Sequence, residues 1–355
     1  VEVWITNKSA NFENARNAVA FMDLGEPTQH MNEPGIFAQN YQSIYPDDSL
    51  NTLYRDMLGF GSGIREIQNV TTTLQGFAPG FNLGEDYEKI ENARKLESSE
   101  YTINEELGYI SLNRPLKADE VLGVAFEYTI NGELHQVGEF SSDVKAPKTL
   151  MVKLLKGNGN STQLPTWELM MKNVYSIEGY QISKDNFQMN VMYQNDRTGA
   201  SINYLPEGDI KNEILLQVLN LDDLNNQLDP QPDGQFDFID GITIDASGGR
   251  IIFPVLEPFG NYLRKQIVNE RVAEKYVYDA LYDSTQTRAR QIAEKNKFFL
   301  QGTYQSSTGS EIPLNAMNIP EGSVNVTANG MQLVEGQDYV VDYTLGRVSI
   351  LNESL

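Results

Sequence analysis

One short device occurs twice in this chain, and it limits the possible fold more than any other feature. Residues 98–112 read SSEYTINEELGYISL, and residues 335–351 read EGQDYVVDYTLGRVSIL. With Tyr101 set on Tyr339, Ile103 meets Val341, Gly108 meets Gly346, Ile110 meets Val348 and Leu112 meets Ile350. Tyr, Val and Ile at alternate positions favour a pleated strand. A glycine between two such runs supplies the positive φ of a tight hairpin. The pattern predicts antiparallel hairpins that turn near Gly108 and Gly346.

Two further stretches vary the theme. GITIDASGGRIIF (241–253) puts Gly249 seven residues after Ile242, with Ile251 and Phe253 behind it. EGYQISKDNFQMNV (178–191) keeps Tyr180, Ile182, Met189 and Val191 at the same offsets but has Phe187 where glycine should stand. The copies are irregularly spaced, which excludes a solenoid period.

The strongest single hairpin signal is EVLGVAFEYTING (120–132), where alternation ends in Asn131-Gly132 and ELHQVGEFS returns. Asn329-Gly330 repeats that turn near the end. Between the hairpins lie helical patterns: 12–22 with Asn11 as N-cap, 46–59, 166–175, and a long stripe over 262–297 that restarts after a cap at Asp283 or Ser284. EILLQVLNL (213–221) reads equally as a buried strand or a helix. The fold class expected is α+β, mostly β: several small antiparallel hairpin modules packed with helices, including a long helical segment near 262–297. Turn-rich breaks divide it into an N-terminal α+β module (1–145), a central module with the acidic loop and the long helical segment (146–300), and a C-terminal hairpin module (301–355).

Charge narrows the partners. With 49 acidic against 27 basic residues the formal net charge is −22, which repels phosphate backbones, so nucleic acid is not an expected partner. The chain has no cysteine, which removes disulfides, thiolate catalysis and sulfur-ligated zinc. Its two histidines, His30 and His135, cannot build a histidine-rich metal site. No run of 18 apolar residues is present to make a spanning helix. The abrupt start at VEVWITN, itself strand-like, leads us to expect an internal piece of a longer protein.

Motifs for chemistry are sparse. GFGSGI (59–64) lacks the spacing of both a phosphate loop and a nucleophile elbow. Carboxylate pairs such as Asp338 and Asp342 could be imagined in a glycosidase, but nothing in the sequence places two on a common cleft. One constellation stands out, DPQPDGQFDFID at 229–240. Asp229, Gln231, Asp233, Asp237 and Asp240 fall at oxygen-ligand positions of a calcium loop, with Gly234 at the sharp turn. Against it, Pro230 and Pro232 stiffen the loop and no flanking helices are evident. The expected metal ligands, if calcium binds, are Asp229, Asp233, Asp237 and Asp240. No other cofactor is expected, and no catalytic residue is assigned.

Longer strings carry a resemblance. GSVNVTANGMQLVEGQDYVVDYTLGRVSILNESL (322–355), LPTWELMMKNVYS (164–176), DPQPDGQFDFIDGITIDASGGRIIFPVLEPFG (229–260) and YDSTQTRARQIAEKNKFFLQGTYQSSTGSEIPLNAMNIPEGSV (282–324) are similar to the SprA/Sov family, the giant outer-membrane translocon of the type 9 secretion system in Bacteroidetes. The resemblance covers most of the chain. It implies a fragment of a very large β-barrel protein that passes folded cargo and serves gliding motility. Only 120–130 alternates in the manner of a barrel wall. The fragment is therefore expected to be a non-catalytic soluble insert on the periplasmic or extracellular face of the outer membrane, bracing or gating the pore. Its expected partners are other parts of the same barrel protein, other secretion-system components and secreted cargo. The competing expectation is a calcium-dependent cell-surface binding module or adhesin.

Overall fold

The computed structural model describes all residues except 9–11, 27–44, 79, 178, 226, 307–310, 315, 329–330, 345 and 351–355. The chain forms two compact units: Val1–Thr102 with Pro115–Met170, and Ile103–Arg114 with Met171–Leu355. The class is α+β and mostly β, with several small antiparallel sheets.

Strands β1 (Glu2–Ile5), β2 (Arg16–Phe21), β3 (Tyr87–Lys95), β4 (Tyr101–Asn104), β5 (Tyr109–Leu112), β6 (Leu122–Ile130), β7 (Glu133–Val137) and β8 (Leu150–Lys156) follow one another along the first half. Six of them form one sheet in the order β1-β3-β2-β8-β6-β7, and an added β1–β6 pairing closes β1, β3, β2, β8 and β6 into a ring. The β2–β8 pair is parallel, and the other pairs in the ring are antiparallel. Closure removes edges, and both faces of β2 and β8 are buried. One face carries Trp4, Ala18, Ala20, Ala93, Ala125 and Val152. It needs small residues: a Cβ added to Gly123 would press on Val152 Cγ2 and on the Ala20 methyl. The other face, with Val19, Phe21, Tyr87 and Met151, packs under helices α1 (Leu53–Phe60) and α2 (Val70–Phe77).

This ring corrects the sequence reading in three places. The apolar run at 12–22, expected as a helix, is strand β2, because burial on both faces erases the alternation that marks a half-buried strand. Its supposed cap, Asn11, lies outside the described residues. The helix expected at 46–59 starts only at Leu53. The break at 145/146 falls inside the first unit, since β8 belongs to its sheet.

The second unit adds β9 (Val174–Ser176), β10 (Ile182–Gln194), β11 (Ser201–Ile202), helix α3 (Leu215–Val218), β12 (Ile244–Asp245) and β13 (Arg250–Ile252). Helices α4 (Asn261–Gln266), α5 (Glu270–Tyr276), α6 (Ala280–Asp283) and α7 (Gln286–Gln291) follow. The chain closes with β14 (Phe298–Ser306), β15 (Glu311–Pro313), β16 (Thr327–Ala328), β17 (Met331–Gln332), β18 (Tyr339–Asp342) and β19 (Arg347–Ile350). The long stripe at 262–297 is thus four short helices. They break where backbone groups find tertiary partners: the Tyr278 amide donates to the Phe259 carbonyl instead of continuing a ladder. New caps follow, with Asn269 accepting from the Arg271 amide and Thr285, rather than Asp283 or Ser284, from the Arg288 amide. TWELMMKNVY (166–175) is no helix either; a single 3-10 turn at Pro165–Trp167 precedes β9. The run from Tyr180 to Val191 forms no hairpin, because Ile182–Gln194 is one bulged strand paired to β14. The expected break at 300/301 lies inside β14.

Candidate functional site

Both Tyr–Gly hairpins are present. β4 begins at Tyr101 and β18 at Tyr339, and Gly108 and Gly346 have φ of 68° and 65°. Gly249 turns the third copy at φ 59°. The Asn131-Gly132 turn joins β6 to β7 with φ of 51° and 85°. Strands β16 and β17 pair on either side of Asn329-Gly330, which lies outside the described residues.

In the second unit the repeat is larger than a hairpin. β9 adds to the β12–β13 hairpin as β15 adds to the β18–β19 hairpin. Tyr175 faces Ile251 where Ile312 faces Val348, and Ile251 faces Ile244 where Val348 faces Val341. After the added strand the chain crosses the turn by the same three bonds. Ile177, Gln181 and Ile182 donate their amides to the carbonyls of Gly249, Ser247 and Ala246; Leu314, Asn318 and Ile319 donate theirs to Gly346, Thr344 and Tyr343. Gln181 and Asn318 even share a left-handed backbone, at φ 51° and 53°. A Cβ on Gly249 would overlap the Gly179 carbonyl, and one on Gly346 the Ala316 carbonyl. The glycines are therefore required twice, for φ and for the close crossing.

A second repeated element precedes a strand in three places: NLGEDY (82–87), IDGITI (239–244) and VEGQDY (334–339). In each, the glycine has positive φ and donates its amide to the carbonyl three residues on. In each, the side chain two residues after the glycine closes the loop. Asp86 accepts the Asn82 amide at 2.7 Å, Thr243 that of Ile239 at 3.0 Å and Asp338 that of Val334 at 2.9 Å. The last residue of each, Tyr87, Ile244 or Tyr339, is buried. Sequence reasoning missed this clamp although glycine, then Asp or Thr, then an apolar anchor was there to be read.

The acidic loop is built on the same principle. Asp222, absent from the calcium spacing and fully buried, accepts the amides of Asp233 and Gly234, both at 2.9 Å, and the Gln217 side chain at 3.0 Å. Asp237 returns the favour, accepting the amides of Asp223 at 2.6 Å and Leu224 at 3.0 Å. Asp233 accepts from the Gln235 amide and Asp240 from that of Ala246. Asp229 is exposed, and its backbone bonds to Asn225. Burial, and then the charges of Asp222 and Asp223, raise the Asp237 carboxyl above the usual range. The four predicted ligands are not brought together: among the described residues no group of three or more acidic or histidine side chains is placed to hold a metal ion. The apolar positions between them anchor the loop, Phe236 and Phe238 meeting Phe187 with ring centres 5.3 and 5.2 Å apart.

Unit one uses its buried charges likewise. Glu139, 2% exposed, accepts a two-pronged bond from Arg65 at 2.5 and 2.6 Å, the Tyr54 hydroxyl at 2.8 Å and the Met151 amide at 2.9 Å. This network pins the helical cap to β8. Along β7, Asp48 accepts the Gly138 amide at 3.0 Å, and burial pushes its carboxyl up to about 7. Asp47 lies 3.3 Å from His135, which stacks on Tyr128. A shallow cavity of about 340 Å³ on the β10–β14 sheet is lined by Gln188, Asn190, Met192, Asn203, Gln301 and Thr303, with no ionisable group in its lining.

No protein-family model matches the chain, and no curated protein matches it.

Proposed function

We propose that this chain is a non-catalytic domain of a giant outer-membrane protein translocon of the type 9 secretion kind, and that it acts by shape, bracing or gating the pore through which folded proteins pass. The observation that carries the reading is the similarity of four long strings, 164–176, 229–260, 282–324 and 322–355, to the SprA/Sov family. The architecture supports it. A crossed three-stranded module is used twice and a side-chain clamp three times. The buried acids described above hold backbone amides or cationic side chains, which rigidifies loops that hydrophobic burial alone leaves loose. In this reading the domain touches the remainder of its own barrel protein, other secretion components and cargo. The acidic surface discourages adhesion of acidic cargo.

In-frame deletion of residues 1–355 from the parent gene tests the proposal. The expected result is blocked secretion or a leaky outer membrane while the remaining barrel still reaches that membrane. Normal export through a sealed membrane would overturn it.

A further inference from the structure

Unit one buries a lysine against a carboxyl group at the end of its parallel strand pair. Lys153 stands on β8 beside Phe21 of β2 and is 5% exposed. Its Nζ donates to Glu26 Oε1 at 2.7 Å and to the Met22 carbonyl. The second oxygen of Glu26, Oε2, is buried and has no hydrogen-bond partner among the described residues. Asp23, two residues after the end of β2 and 1% exposed, adds a further negative charge. Burial first, and Asp23 after it, push the Glu26 carboxyl up to about 7 although Lys153 opposes the shift.

A buried ion pair is favourable only when its remaining lone pairs are satisfied. Here one carboxylate oxygen has no donor among the described residues, and both charges sit in a weakly polarisable interior. Condensing the two groups into an amide would remove both charges and leave Oε2 as a neutral carbonyl oxygen, which costs less to bury than a carboxylate oxygen. We propose that Lys153 and Glu26 join in an isopeptide bond formed by the chain itself, tying β8 to the segment that follows β2.

The step balances without any further reagent. One proton moves from Nζ to Oε1 along their hydrogen bond, leaving a neutral amine and a neutral acid whose carbonyl oxygen is Oε2. The nitrogen lone pair attacks Cδ, and the carbonyl π pair moves onto Oε2. Asp23 takes the next proton from the nitrogen and delivers it to the Oε1 hydroxyl. The Cδ–Oε1 bond breaks, the Cδ–Oε2 carbonyl re-forms, and one water leaves. Amide condensation is uphill between free solutes in water. Groups held in place reach effective molarities of about 10⁵–10⁸ M, which offsets the entropy that free solutes lose on meeting. A closed interior also keeps water from the product. The Met22 carbonyl orients the amine and makes no bond to carbon.

The test is the mass of the whole purified chain, held at pH 7 before measurement. The expected mass is about 18 Da, one water, below the sum of the residues. A tryptic map should show one branched peptide linking Glu26 to Lys153. Lys153→Arg should restore the full mass, and Asp23→Asn should slow the loss of water while far-ultraviolet dichroism stays that of the parent. A full-mass wild-type chain overturns the proposal, and so does a water loss that maps elsewhere, such as a cyclised Asp or Asn. If the arginine variant fails to fold, the wild-type branched peptide decides by its presence or absence.

Discussion

Asp48 gives the sharpest handle on the energetics of unit one. Its carboxyl is raised from 3.8 to about 7, chiefly by burial, with the charges of Asp47 and Glu139 adding to the rise. Between these two values the folded chain holds a proton that the unfolded chain has lost. Stability from this group is therefore complete below about pH 4, falls as pH rises, and reaches its minimum above pH 7. Three units at 1.36 kcal/mol each set a ceiling of about 4 kcal/mol. Asp48 is only partly buried, so solvent screening leaves about 2 kcal/mol. Asp48→Asn keeps an oxygen to accept the Gly138 amide and removes the titration. The variant should match the parent near pH 4 and exceed it by about 2 kcal/mol at pH 8. Urea melts followed by tryptophan fluorescence measure this directly, because both tryptophans, Trp4 and Trp167, belong to unit one. A stability difference between parent and variant that does not change from pH 4 to pH 8 would refute the argument. Glu26, also raised to about 7 mainly by burial, leaves a residual slope of the same sign in both proteins while its carboxyl remains free.

Other perturbations separate the structural devices. Gly249→Ala and Gly346→Ala should each cost about 3 kcal/mol or more by thermal melting, since an unfavourable left-handed φ and an overlapping carbonyl act together. Gly336→Ala has the same sign of φ but open space around it, so about 1 kcal/mol is expected. Asp222→Ala should cost about 1–3 kcal/mol by leaving two partly buried amides without an acceptor, and added calcium or a chelator should not change that loss. Ala20→Leu should destabilise unit one by about 1–3 kcal/mol, because the ring has no room for the added methylenes.

The candidate site was only half legible. The spacing of 229–240 marked a real structural loop, but it suggested converging ligands where the carboxylates of Asp233, Asp237 and Asp240 each accept nearby amides. Asp222 could not be seen to matter, because its partners lie 11 and 12 residues away and reach it only through the tertiary path of the loop. Glu139 and Arg65, which are 74 residues apart, were likewise invisible.

Turns were readable because their energy is local. Gly108, Gly346 and Asn131-Gly132 each impose a backbone conformation on their immediate neighbours, whatever surrounds them, so the hairpins at 101–112, 122–137 and 339–350 stand where the pattern put them. The mostly β class followed from the same residues. The helices and the ring depended on partners distant in sequence. β2 is a strand because β3 and β8 pair with its two edges while the ring core and helices α1 and α2 bury its two faces, and an apolar run buried on both faces loses the periodicity that tells strand from helix. The stripe at 262–297 breaks where Phe259 captures the Tyr278 amide. Ring closure joins Glu2–Ile5 to Leu122–Ala125, a contact across more than a hundred residues that no short-range preference encodes. Propensity acts over a few residues, whereas burial and backbone satisfaction are decided by whatever the folded chain brings alongside.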